Sequence, residues 1–512
     1  MAPFRSLLAA ALLVTTVACA PSAPTTGGVA PPGVSKDFTL KVGVTGGSAN
    51  LDPQASIGDI QMSGLFEALV AQDDKGKVLP ELASAWRNVD ASTWTFTLAP
   101  GRTFHDGSPV TAQDVKFSFD RAMNPDLKLG TLVRVGTFDK AEIVDPQTIR
   151  IVTKGPDPLL LKRVALVAIL SKAQVDKPDG TAALGMKPIG TGPFMLKEFV
   201  PNDKLILLRN PNHPRPAGPA EVSIRAVPEA SARVVGLRTG ELDLIQTINI
   251  DQATELKNGG FNIVNFNQGQ SIGAFLFTTN EGRPTQNKLV RQALNYAINK
   301  EQIAKDIYKG LTVATGQVVQ TDTFGYNPKI KPYPYDPAKA KQLLAQAGYP
   351  NGFRLKMDVT TNVSDAQTIF LFVQSQWREI GLNPEMEVSS DSAFFLDRWY
   401  GRVERGDMLT ASLVNSPAMD ADFALTWFKG TEAMPARRYS NPEFDRAYMA
   451  STTEMNEQKR AEYLQKAIEI MYEDPAFLFL VDGVRLWGAS SKLANVNARP
   501  DLRPDYSIIK LK

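Results

Sequence analysis

Few residues in this chain are of the types that do chemistry. Among 512 residues there are two histidines, His105 and His213, and one cysteine, Cys19. His105 is followed by Asp106, which would make a base and its orienting acid. No Ser or Cys nucleophile motif lies near them, and a general base needs a partner. The same stretch, Phe104-His105-Asp106-Gly107-Ser108-Pro109, also reads as a tight turn at Asp106-Gly107. It leads into a helix capped by Thr111, with Asp114 three residues on completing a variant of the capping box. Gly190-Thr191-Gly192-Pro193 resembles a phosphate cradle, but it lacks the Gly-Lys-Ser/Thr of a P-loop and the third glycine of a dinucleotide loop. Two distant histidines and one cysteine offer too few imidazole or thiolate ligands for a bare transition metal. A metal would enter only inside a chelate. These residues point away from catalysis, nucleotide binding and any resident cofactor or metal.

The cysteine has another use. Arg5 precedes a short apolar run, Leu7 to Val14, and small residues follow. That is an export signal, too short to span a bilayer as a stable helix. It ends at Val17-Ala18-Cys19, which resembles a bacterial lipobox with Thr16 where Leu is usual. The alternative is an ordinary signal peptide with an incidental cysteine. A lone thiol outside the cell has no disulfide partner, which favours lipidation of Cys19. Two or more acyl chains would give stable anchoring at the periplasmic or extracellular face of the membrane. Residues Ala20 to Ser35 are Pro, Gly, Ser, Thr, Ala and Val, and read as a disordered tether.

The length calls for two or three domains. Hydrophobic residues are 43%, charged residues 21% and net charge +2, with both signs interspersed. Binding a phosphate backbone needs a basic stripe, and none is present. Phe38, Leu40, Val42 and Val44 alternate as a strand, and Trp94, Phe96 and Leu98 do so again. Ile149 to Val152 and Leu205 to Leu208 read as further strands, and Leu242 to Ile245 closes a helix-to-strand unit after Gly240. Later, Leu289, Ala293 and Ala297 share a helical face, with Val290, Leu294 and Ile298 beside it. Asp336-Pro337 starts a helix that stops at Gly348, and Ala461, Leu464, Ile468 and Met471 form another apolar stripe. The alternation of strands and helices predicts an α/β protein with more than one sheet.

Six ordered stretches carry a resemblance. They are Phe104 to Val115 with Ala85-Trp86 and Thr93 to Phe96; Ile189 to Phe194 with Arg209 to Asn212; Ala232 to Asp243; Val290 to Lys300; Tyr335 to Tyr349; and Tyr439 to Asp445. Together they resemble the family 5 extracellular solute-binding proteins, the oligopeptide, dipeptide and nickel-complex receptors of bacterial ABC importers. The resemblance runs from residue 37 to the end. It implies a two-lobed, hinged periplasmic-binding-protein fold and a monomer that passes its ligand to a membrane permease. It also implies the division of the chain: lobe one at 37–270 with an inserted subdomain at 72–188, lobe two at 271–484, and a return to lobe one at 485–512.

The resemblance further implies where a peptide or other small solute would sit. Ser48 and Asn50 lie in the loop after the first strand. In lobe two, Leu413 to Phe423 matches a stretch that often reads Trp, then Asp-Pro-Asp. Here it keeps Asp420 and Asp422, lacks the Trp and has Ala421 for Pro. Asn415, Asp420 and Asp422 are the candidate contacts, with Asp420 expected to meet a cationic group, and a helix cap is the alternative for both acids. Arg398, Trp399 and Tyr400 are a candidate carboxylate-binding cation and pocket wall, or a lobe-two helix surface. Two other uses compete. One is a ligand sensor of the same fold; the other is a secreted hydrolase, which requires a nucleophile–base pair or paired carboxylates that the chain does not display. The anchor yields a direct expectation: Cys19→Ser releases the exported protein in soluble form with ligand affinity unchanged. Intact-mass measurement of the wild-type protein checks it, and a mass without lipid excludes the anchor.

Overall fold

The computed structural model describes residues 37–55, 64–133, 135–215, 217–266, 270–279, 282–361, 363, 365–415, 418–430, 439–497 and 504–512. Cys19 and the tether lie outside them. Among the described residues, three larger sheets organise the chain, beside two of two strands each. The first has seven strands in the order Asn262–Asn265, Leu486–Ala489, Leu244–Ile248, Thr39–Val44, Glu221–Ala226, Lys204–Arg209 and Phe194–Val200. Its strand Thr39–Val44 buries Leu40, Val42 and Val44 completely while Thr39 and Lys41 face water, the period-two pattern visible in the sequence. A four-stranded antiparallel sheet, Ala83–Asp90, Thr93–Leu98, Thr148–Thr153 and Phe138–Asp145, lies between the first and later strands of that lobe in sequence and has its own core around Phe96, Phe119 and Ile151. The second lobe has five strands in the order Asn383–Ser389, Arg354–Thr360, Met408–Val414, Gln270–Leu276 and Phe477–Asp482. The fold is the two-lobed α/β architecture expected. Among the described residues no helix is long and apolar enough to cross a membrane.

The sequence signals act locally as their chemistry requires. Thr111 and Asp114 exchange the two bonds of a capping box at the start of helix Ala112–Met123. Asp336 accepts the N–H of Lys339 at 2.8 Å at the start of helix Pro337–Gln346. Gly240 ends helix Ala230–Thr239 in the left-handed conformation, φ 79°. In helix Lys288–Tyr296, Arg291 is buried and donates to the carbonyls of Pro475, Thr285 and Gln286 and to the Asp474 carboxylate. One turn on, Asn295 brackets the strand Phe477–Asp482, donating to Phe477 O at 3.2 Å and accepting from Phe479 N at 3.1 Å. That helix is thus stapled to the edge strand of lobe two.

Both histidines hold backbone together. His105 Nδ1 accepts the N–H of Gly190 at 3.2 Å and its Nε2 lies 3.1 Å from Gly192 O, which requires the neutral ring protonated on Nε2. Burial keeps its pKa low. His213 Nε2 lies 3.0 Å from Glu67 Oε1, and Arg102 pairs with the same carboxylate. The Gly190-Thr191-Gly192 turn serves close packing: a Cβ on Gly190 would lie 1.9 Å from Leu65 O and one on Gly192 2.1 Å from Gly64 O. Gly192→Ala is therefore expected to destabilise the protein by about 1–3 kcal/mol through overpacking against backbone. Urea unfolding measures it, and an unchanged midpoint refutes the close-packing role.

Candidate functional site

Each lobe builds a rim from strand ends. In lobe one, Thr39–Val44, Glu221–Ala226 and Leu244–Ile248 run parallel and end together. In lobe two, Arg354–Thr360, Asn383–Ser389 and Met408–Val414 do the same. The described chain leaves lobe one at Phe266 and resumes in lobe two at Gln270, and it returns to lobe one at 482–486. Asn265 is paired with Leu486 on one side and Ser271 with Asp482 on the other. Both crossings therefore join the carboxyl-end rims and set them opposite one another. Beyond the carboxyl ends of strands is where open α/β sheets take ligands.

On the lobe-one rim, Ser48 is buried and its carbonyl accepts the N–H of Asn202 at 2.7 Å. Leu51 N donates to Gly185 O at 2.7 Å, and Asp52 is buried against Arg121. Between these fixed points Asn50 is exposed, and its Oδ1 accepts the N–H of Asp52 at 3.0 Å.

On the lobe-two rim, Asn415 is fully buried. Its Nδ2 donates to Val318 O at 2.8 Å and Gln320 Oε1 at 2.9 Å, and Gln320 Nε2 donates to Ser271 Oγ at 2.5 Å. Asp482, paired with Ser271 across the sheet, joins this cluster, and burial pushes its carboxyl up to about 7.

Asp420 is 1% exposed and held bidentately by Arg460, with both N–O distances 2.8 Å. Lys162, from the inserted region of lobe one, stands 3.7 Å from the same carboxylate and donates to Met419 O at 3.3 Å. Asp420 Oδ1 also accepts the N–H of Asp422 at 3.1 Å, opening the short helix Asp422–Leu425. The expected ligand cation is thus replaced by two protein cations, and Asp420 stands one residue before the helix N-cap, Ala421, which has no side-chain cap. Asp422 accepts from Tyr448 OH at 2.9 Å, and burial, then the charge of Asp420, raises its pKa. Arg398 is likewise engaged within lobe two, 3.2 Å from Asp358, 2.7 Å from Glu387 and stacked on Phe394. Trp399 is 1% exposed and packs on Phe275 and Trp427 in the lobe-two core, which removes it as a pocket wall. Tyr400 is exposed beneath the Arg402 guanidinium.

Sequence reasoning did not single out Lys162, Arg460, Gln320 or Ser271. Arg460 left a signal. In helix Glu457–Glu473 the buried face is Arg460, Leu464, Ala467, Ile468 and Met471, so a cation rather than Ala461 begins the apolar stripe. A charge at a core position calls for a buried partner. Among the described residues no three His, Cys, Asp or Glu side chains gather as a metal site would require.

Two lobes whose strand-end rims are opposed across the crossings outline a cleft between them. Residues 77–435 match the bacterial extracellular solute-binding proteins, family 5 (middle region). The chain is 30% identical over 484 residues to the glutathione-binding protein GsiB of Pectobacterium atrosepticum, covering 91% of this chain and 92% of that one. It is 28% identical to the GsiB of Escherichia coli over 91% and 93% of the two chains. Among solved structures it resembles the periplasmic binding protein DppA of Helicobacter pylori in complex with the peptide STSA, with TM-score 0.76 and 26% identity over 93% of this chain and 98% of that one. It also resembles HbpA2 of Haemophilus parasuis, with TM-score 0.83 and 24% identity over 93% and 100%. The chain belongs to the family 5 extracellular solute-binding proteins, and its relatives are binding proteins rather than enzymes.

The Asp420 geometry carries a prediction. Asp420→Ala strands the buried Arg460 charge and is expected to cost about 3–5 kcal/mol of stability. Replacing Asp420 and Arg460 together with apolar residues should recover most of it. Denaturant unfolding of the single and double variants checks this. A single variant as stable as wild type removes the structural ion pair.

Proposed function

We propose that this protein captures a short peptide or peptide-like solute, glutathione among the candidates, between its lobes and passes it to the permease of a bacterial ABC importer. The observation that carries the reading is the pair of opposed rims joined by two adjacent crossings, since a ligand that touches both favours the closed arrangement over the open one. The names of its relatives, glutathione-binding proteins over 91% of the chain, and its likeness to a peptide complex support the solute class. The contacts assigned are Asn50 and the backbone near Ser48 from lobe one and the Asn415 cluster from lobe two. Amides and hydroxyls of this kind suit the donors and acceptors of a peptide backbone. Asp420, Asp422, Arg398 and Trp399 are the frame that positions them, and a lipid on Cys19 keeps the receptor beside its permease.

Titration with glutathione and with di- to tetrapeptides tests the reading. A bound member is expected to make the protein more compact in small-angle scattering. At a concentration 100 times its Kd it should also add about 2.7 kcal/mol of stability by mass action. If no member raises the melting temperature, the peptide reading fails. If a member binds with an unchanged scattering profile, closure fails.

A further inference from the structure

A groove of about 900 Å³ runs along the outer edge of the seven-stranded sheet, on the flank of lobe one. It follows strand Asn262–Asn265 from its first residue to its last. Helix Ile250–Asn258 walls it on one side, and residues 493–497, which begin in the hairpin formed with Lys510–Leu511, wall it on the other. Phe261 and Ile263 pack toward the core under that helix, Val264 and Val496 toward the core on the opposite sheet face. Lys309 and Leu311 close one end from lobe two. Neither the Ser48–Asn50 loop nor the Asn415 cluster lines it, so it is not the ligand cleft.

The floor of the groove is an open strand edge. Among the described residues Asn262–Asn265 pairs only with Leu486–Ala489. Ser490 N donates to Asp243 O at 2.8 Å and Phe266 N donates to Arg485 O at 2.7 Å. Even-numbered residues of that partner strand therefore bond Leu244–Ile248, and odd-numbered ones bond Asn262–Asn265. By the alternation of an antiparallel ladder, the backbone N–H and C=O of Ile263 and Asn265 point away from the sheet, into the groove. Exposed edges are commonly blunted by a charge or a proline on the strand itself. This strand, Asn-Ile-Val-Asn, has neither. The charges stand around it instead. Lys257, Lys309 and Lys512 line the groove and no Asp or Glu does. Among the described residues none of the three ammonium groups has a carboxylate within ion-pairing distance.

We propose that this groove docks an extended, acidic segment of a partner protein, which adds to Asn262–Asn265 as one more strand. Outward backbone donors and acceptors are satisfied by another backbone, and main-chain bonds of this kind carry the affinity of strand addition. An acyl chain would fill the apolar floor but leave those groups unbonded. Side chains of an added strand alternate between the two walls. Apolar ones fit against Phe261 and Val496, and acidic ones meet Lys257 on the helix wall, Lys512 on the hairpin wall and Lys309 at the end. The surface lies outside the ligand cleft, and its use does not depend on which solute that cleft takes.

The test uses the full-length protein and a short, end-blocked, fluorescent peptide in which valine and glutamate alternate, followed by anisotropy. The peptide is expected to bind, and to bind more weakly as salt is raised. Replacing its glutamates with lysines should weaken it about tenfold or more, and so should N-methylation along the edge that bonds the protein. On the protein side, Lys257→Glu with Lys309→Glu should reverse the preference in favour of the lysine peptide. Ile263→Pro should weaken both peptides about tenfold, since it removes an outward N–H while leaving the inner ladder intact. Saturating the ligand cleft with glutathione should leave the peptide bound. If no peptide binds, if the lysine peptide binds as well as the glutamate one, or if N-methylation costs nothing, the inference is overturned. These three comparisons use the wild-type protein and need no variant to fold. Displacement of the peptide by glutathione places it in the ligand cleft and overturns the inference as well, while leaving the solute reading standing.

Discussion

The chain joins the two lobes along a seam of paired strand ends, and that seam constrains the rest of the molecule. The chain leaves lobe one at Asn265 and returns at Leu486, and these two residues are paired neighbours in one sheet. On the other side Ser271 and Asp482 are paired neighbours in the second sheet. Paired neighbours on each side hold the two sheets close along this seam. Because both connections leave from carboxyl-end rims, any rotation opens or closes the space between those rims. The rim loops can differ widely in sequence without changing this mechanical relation, which is how one scaffold accommodates solutes as different as peptides and metal chelates.

Buried charge is handled consistently across the fold. Arg233, Arg291 and Arg460 are each nearly inaccessible, and each uses its fork on carbonyls or a carboxylate of other chain segments. A guanidinium is suited to this because it stays charged and presents five donors in fixed directions. These residues tie loops to helices where apolar packing alone would leave carbonyls unsatisfied. Lys162 does the same across the lobes: 257 residues separate it from Met419, whose carbonyl it reaches while facing Asp420.

Much of this architecture was legible in the residues. Alternation identified the central strand at Thr39–Val44, and turn and cap chemistry identified the helix starts at Thr111 and Asp336, because those signals act over four or five residues. The site was legible only as a neighbourhood. Asn50 follows the end of strand Thr39–Val44 in one lobe and Asn415 the end of Met408–Val414 in the other. The partner of Asp420, however, is decided by a helix 40 residues later and a lysine in another lobe, which no local pattern encodes. Trp399 illustrates the same limit. An aromatic beside an arginine suits a pocket wall as well as a core, and its burial depends on Phe275 and Trp427, both remote in sequence.

The strand Asn262–Asn265 is hydrogen-bonded in its sheet only to Leu486–Ala489, and Arg485 N reaches Asn265 from 220 residues away. The first lobe therefore cannot complete its sheet until nearly the whole chain has been synthesised. Contacts of such long sequence separation form slowly. Until Leu486–Ala489 is made, the sheet ends at Leu244–Ile248 and Asn262–Asn265 has no strand to pair with in it.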